Sequence, residues 1–175
     1  MKRLAAAVAL AALGACAAPP PNVTGLQSYR DREALIGVTS RYDDAQFAGL
    51  WYVRAAVGPE QGPLSFRMTT GAAPVMRLGA HVCSASGVCG EVAEDLAVRR
   101  LGQGRFSVTM PGGEARQIWV LWVDEGFRTA VLGNPDGTFG WIVDRSTRGG
   151  GDRIAAAREI LDFNGYNVSQ LRVLK

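Results

Sequence analysis

Residues Asp136–Arg145, Asp-Gly-Thr-Phe-Gly-Trp-Ile-Val-Asp-Arg, decide how the rest of the chain is read. Phe139, Trp141 and Val143 fall on one side of a period-two repeat, the pattern of a half-buried strand. Arg145 is the next residue on that same side, and a charge on an apolar face has to be accounted for. Just upstream, Asn134-Pro135-Asp136-Gly137 has the chemistry of a tight turn. Proline presets φ at the first corner, and glycine accepts the positive φ that closes a hairpin. Residues 127–132 are therefore expected to pair with residues 139–144.

Working outward, the same short-strand pattern repeats, broken by glycine, proline and aspartate. Leu50–Val57 sets Trp51, Val53, Ala55 and Val57 on one face. Leu64–Thr69, Val75–Val82 and Glu91–Arg99 follow with weaker alternation. Phe106, Val108 and Met110 alternate before Pro111-Gly112-Gly113. Ile118–Val123 is apolar on both faces and needs cover inside and out. After Gly149-Gly150-Gly151 the period changes. Asp152 is suited to cap a helix whose stripe is Ile154, Ala157, Ile160 and Leu161, and Gly165 to end it in a left-handed turn. Val168, Leu171 and Val173 suggest a last short strand. The fold class is all-β: an eight-stranded up-and-down antiparallel barrel with one C-terminal α-helix packed outside, which explains the doubly apolar strand.

The start of the chain carries an address. Met1-Lys2-Arg3 is basic, and Leu4–Leu13 is an apolar run about half as long as a membrane-spanning helix requires. That is the layout of a secretory signal. It ends in Leu13-Gly14-Ala15-Cys16, which resembles a bacterial lipobox, whose cysteine is acylated and becomes the mature N-terminus. The expected organisation is a signal peptide over residues 1–15, a lipidated tether over 16–41 and a barrel domain over 42–175. Acyl chains at about 0.8 kcal/mol per buried methylene would hold the protein on a membrane durably. Ala17 stands where inner-membrane lipoproteins usually carry Asp, so the resemblance implies the outer membrane, facing the periplasm. Loss of Lys2 and Arg3 lowers the formal charge from +3 to about +1, with the other basic residues scattered. A nucleic-acid partner is therefore not expected.

Cys83 and Cys89 flank Ser-Ala-Ser-Gly-Val between two strand-like runs. In an oxidising compartment a small-loop disulfide is the leading reading. Free thiols, and a metal site with His81, are the alternatives; the latter lacks a fourth ligand and a familiar spacing, so no metal is expected.

Several motifs, in order, resemble the lipocalin family, and the whole is similar to bacterial outer-membrane lipocalins. Gly49-Leu50-Trp51 is similar to the Gly-x-Trp signature at the first strand. Trp122-Val123-Asp124 followed by Arg128 is similar to the second conserved segment, although Glu125-Gly126-Phe127 stands where many members carry tyrosine after the aspartate, so the hydroxyl contact usual there is missing. Arg145 matches the arginine of the third, and Gly165-Tyr166-Asn167-Val168-Ser169 the bacterial C-terminal pattern. The resemblance covers residues 47–175 and is poor over 59–116. It implies that Arg145 lies over the Trp51 ring and closes one end of the barrel. It also implies a non-covalent hydrophobic ligand, a fatty acid or lysophospholipid. Alternation then makes Ala55, Phe139 and Trp141 the candidate ligand contacts.

No catalytic constellation is present. His81 is the single histidine and has no nucleophile or acid near it in sequence. Glu91, Glu94 and Asp95 read as a solvated face rather than a paired acid and base. The glycine run at 149–151 lacks the lysine of a phosphate loop. Neither enzymatic activity nor a cofactor is expected. Two functions remain: a membrane-anchored carrier or scavenger of a hydrophobic molecule, or a periplasmic protein-binding barrel with a closed interior, such as a protease inhibitor or envelope assembly partner.

Overall fold

The computed structural model describes residues 27–59, 64–110 and 112–174. The signal peptide, Cys16 and the first part of the expected tether lie outside the described residues.

Eight strands follow one another: β1 (Gly49–Val57), β2 (Leu64–Met68), β3 (Val75–Cys83), β4 (Cys89–Gly102), β5 (Arg105–Thr109), β6 (Ala115–Val123), β7 (Thr129–Gly133) and β8 (Gly140–Asp144). Each pairs antiparallel with the next, β8 returns to β1, and β1 also pairs with β2, so the sheet closes on itself. A two-residue β9 (Arg172–Val173) lies against Ala55 and Ala56. A one-turn helix α1 (Asp44–Phe47) precedes β1, and α2 (Gly151–Phe163) follows β8. The hairpin at Asn134–Gly137 forms as its residues require: Gly137 has φ 68° and donates its N–H to Asn134 O at 3.1 Å.

Two apolar clusters divide the molecule. The inner one fills the barrel and includes Trp51, Val53, Phe66, Phe106, Val120, Leu132, Phe139, Trp141 and Val143. The outer one comprises Ala55, Leu121, Val131, Ile142, Ala157, Leu161 and Tyr166, with Trp119, Trp122, Ile154 and Ile160 packed against it. Helix α2 lies over β6, β7 and β8, which is why Ile118–Val123 is apolar on both sides. Fully burying Leu161 contributes about 1.5–3 kcal/mol to that docking. The helix is pinned by charge as well. Arg153 Nη2 reaches the buried Asp144 Oδ2 at 3.0 Å, and Thr129 Oγ1 donates to the same oxygen at 2.6 Å.

Three corrections concern faces and boundaries. Ala55 belongs to the outer cluster and Ala56 to the inner one. In β1 the register shifts between Val53, opposite Val143, and Ala55, opposite Ile142, so Arg54 is one extra residue. A bulge of one residue reverses every face beyond it. The second correction is the tether, expected to run unstructured to residue 41. From residue 27 onward the chain is stitched to the barrel. Tyr29 N donates to Gly137 O at 2.7 Å, Asn167 N to Tyr29 O at 2.9 Å and Thr39 N to Val120 O at 3.0 Å. The buried Arg30 guanidinium donates to Asn164 O, Pro135 O and Ala34 O at 3.0, 3.0 and 2.6 Å. The helix also starts earlier than Asp152: its cap is Gly150, at φ 70°, with Asp152 in the first turn.

Tyr166 seats the C-terminal segment on the outside of the barrel. Its hydroxyl accepts from Asn134 N at 2.9 Å and donates to Asn134 O at 3.1 Å. Burial pushes its pKa up to about 12. The ring occupies space that only glycine leaves open, since a Cβ on Gly140 would meet Tyr166 Cδ1 and Cε1 at 2.9 Å.

Candidate ligand-binding site

One end of the barrel is shut. The Arg145 guanidinium carbon lies 3.7 Å from the centre of the Trp51 ring. Its three N–H-bearing nitrogens donate to backbone carbonyls: Nε to Phe127 O at 3.2 Å, Nη1 to Leu50 O at 2.9 Å and Nη2 to Gln46 O at 2.6 Å. Trp51 is fully buried and gives its indole N–H to Phe47 O at 2.8 Å. A cation over a partly desolvated indole contributes about 1–2 kcal/mol. Burial pulls the guanidinium pKa down, and the three carbonyls and the ring offset that desolvation. Gly49, at φ 96°, leaves room for this layer: a Cβ there would stand 3.2 Å from Arg145 Nη1.

The adjacent β6–β7 turn is held by Asp124. Its carboxylate accepts from Arg128 N at 2.6 Å, Thr129 N at 2.7 Å, Gly126 N at 3.3 Å and Arg128 Nε at 3.1 Å. Burial opposes ionisation, but the backbone N–H groups of Thr129, Arg128 and Gly126 with the Arg128 guanidinium outweigh it, and the pKa falls below the usual carboxylate range. Phe127 takes a positive φ of 51° and turns its ring into the core.

Above the floor an aromatic column rises through the interior. Phe47 packs on Trp51 with centroids 5.0 Å apart and on Phe66 at 6.4 Å. Phe66 packs on Trp141 at 6.4 Å, and Trp141 on Phe139 at 4.8 Å. The lower interior is thus filled by its own side chains. Phe139 and Trp141 end the column, with Leu64, Leu78 and Met110 only partly covered around the inner cluster. Trp141 is 5% exposed, yet its Nε1 is buried with no acceptor among the described residues. The same holds for Arg116 Nε. Of the three residues expected to touch a ligand, Phe139 and Trp141 face the interior, and Ala55 does not.

The β3–β4 hairpin runs past the barrel. Cys83 and Cys89 face each other across its end and are joined, Cα atoms 4.0 Å apart. His81, Cys83 and Cys89 bring potential ligand atoms within 4.8 Å, but the bridge removes both thiolates that a metal would need. The acidic residues nearby, Glu91, Glu94 and Asp95, are all exposed, and Asp95 pairs with Arg77 at 3.1 Å. Outside the wall a row of small residues, Ser65, Gly79 and Ala93, leaves a groove of about 390 Å³ flanked by Tyr52, Arg67 and His81.

Sequence reasoning missed Arg116 and Arg30. Arg116 was within reach, because stepping back by two from Val120 and Ile118 places it on the inner face. Arg30 had no such signal: its partners are backbone carbonyls remote in sequence.

The closed eight-stranded antiparallel barrel with one C-terminal helix is the lipocalin fold. Among solved structures the chain is similar to lobster apocrustacyanin A1, at 14% identity and TM-score 0.57, over 75% of this chain and 78% of that one. It is similar to the allergen Per a 4 from cockroaches at 13% identity and TM-score 0.57, over 83% of this chain and 96% of that one. Apocrustacyanin C2 aligns with TM-score 0.55 at 14% identity, over 74% and 77% of the two chains. No family model and no curated protein matches the sequence. At these identities the likeness establishes the fold.

Proposed function

We propose that this protein is a membrane-anchored lipocalin-type carrier or scavenger that binds a small hydrophobic molecule, a fatty acid or lysophospholipid, in the upper interior of its barrel. The observation that carries the reading is Trp141. A large aromatic side chain 5% exposed, its indole N–H unpartnered among the described residues, stands at the end of the aromatic column. Buried indole N–H groups are normally satisfied, and leaving one without an acceptor costs about 1–3 kcal/mol. A bound molecule with an oxygen at that point removes the cost, while Phe139, Leu64 and Leu78 cover its hydrocarbon.

The lipobox around Cys16 supplies the anchor in this reading, and Ala17 the outer-membrane address with the barrel in the periplasm. Binding is non-covalent, and the chain works as a binder rather than an enzyme.

Native mass spectrometry of the full chain after expression tests the reading. A co-purified lipid in the wild type, weakened by Trp141→Ala without loss of the fold, supports it. A ligand-free chain that ignores acyl probes overturns it. That outcome favours the protein-binding reading, which has its own observation in the filled lower interior and the groove outside β1–β4.

A further inference from the structure

We infer that Arg116 is the head-group residue of the interior site, so that the ligand it selects is an acyl chain ending in an anion, in its simplest form a carboxylate. The inference rests on the ligand-binding reading above and narrows it.

Arg116 pairs with Val108 across β5 and β6 and stands two residues before Ile118. Val108 and Ile118 both belong to the inner cluster, so strand alternation turns Arg116 inward with them. Its Nε is buried without an acceptor, and among the described residues Arg116 makes no ion pair. The side chain is half-buried, so a buried Nε–H without an acceptor is an unspent donor on the inner wall. Among the described residues of β4, strand alternation turns Glu94 to the inner side. Glu94 is opposite Leu78, but it is exposed and is not joined to Arg116.

The register places both orphan donors above the closed end of the barrel. Trp141 pairs with Leu132, and Leu132 with Val120. Val120 is near the closed end, since its N–H donates to Gly104 O in the β4–β5 turn. Arg116 lies four residues back along β6, a rise of about 13 Å along the strand. With strands tilted by about 35–45°, the rise along β6 exceeds the step down across two strands, which carries Arg116 above the closed end on its own wall. Arg116 and Trp141 therefore address the interior above the closed end from different walls.

A neutral hydrocarbon leaves both donors unsatisfied. A carboxylate offers two oxygens with about four acceptor directions, enough for a guanidinium N–H and an indole N–H together. Charge-assisted hydrogen bonds of this kind are roughly twice as strong as neutral ones. Selection of the head group thus falls to Arg116, while the aromatic wall accepts many chains.

The test compares two probes of equal length, a long-chain fatty acid and the matching fatty alcohol, on the full chain at neutral pH. The wild type should bind the acid at least about tenfold more tightly than the alcohol. Arg116→Gln should erase that ratio, and Arg116→Lys should restore part of it. Melting curves identify any variant that fails to fold, and the ratio, unlike affinity itself, does not respond to a purely structural role. Equal binding of acid and alcohol by the wild type, or an unchanged ratio in Arg116→Gln, overturns the head-group assignment alone. Binding of neither probe by the wild type overturns the ligand-binding reading and this one with it.

Discussion

Arg145 covers Trp51: the guanidinium carbon sits 3.7 Å from the indole centre, while its nitrogens reach Gln46, Leu50 and Phe127 carbonyls. The arginine that looked misplaced at the end of an apolar strand face is the closing layer of the barrel. Arg145→Ala removes the cation–π contact and leaves partly buried carbonyls without donors. It should destabilise the fold by about 1–3 kcal/mol, read as a lower melting temperature. Arg145→Lys should recover only part, because one ammonium cannot reproduce the planar fork. An unchanged melting temperature in Arg145→Ala would show that the layer is ornamental.

Gly140→Ala places a methyl within 2.9 Å of the Tyr166 ring. The ring must move off the barrel, so a loss of about 1–3 kcal/mol is expected, as for overpacking elsewhere. Tyr166→Phe keeps the ring and removes only the hydroxyl that both accepts from and donates to Asn134. Its cost should be about 1–3 kcal/mol from the buried Asn134 groups left unmatched. Chemical denaturation of both variants measures this, and wild-type stability in either removes Tyr166 from the account of how the C-terminal segment is held.

Asp124 has a carboxyl whose folded pKa lies below its unfolded value of about 3.9. A depressed carboxylate contributes stability that is present above the unfolded pKa and is lost as pH falls through the folded one. Asp124→Asn should therefore be less stable than the wild type at neutral pH, and the gap should narrow as pH drops below about 4. Melting temperatures at pH 7 and at stepwise lower pH check the sign. A gap that widens on acidification contradicts it.

The Cys83–Cys89 bridge closes a small loop at the end of the β3–β4 hairpin. On the chain-entropy estimate its loss costs roughly 2 kcal/mol. Cys83→Ser with Cys89→Ser should lower thermal stability by that order and leave the barrel intact, as judged by circular dichroism. Thiol titration of the unreduced wild type should find neither cysteine free.

Cys16→Ser addresses the anchor. The variant should leave the membrane fraction and accumulate as an unprocessed or soluble chain. Full membrane retention would count against acylation at this position.

The sequence alone determined the strand count, the antiparallel order and the outer helix, because turn residues and period-two alternation are local properties. It also singled out Trp51 and Arg145 through the family resemblance, and made a Cys83–Cys89 bridge the leading of three readings, which the tertiary structure decided. Tertiary structure decided what local periodicity cannot hold. One extra residue at Arg54 sends Ala55 outside and Ala56 inside. Remote carbonyls draw Arg30 and the segment from residue 27 onto the barrel. Closure of the sheet then puts Arg116 Nε and Trp141 Nε1 on two walls of one interior, each buried without an acceptor among the described residues. A strand's own residues fix which side chains alternate, but only its neighbours fix the register, and register sets where each of them points.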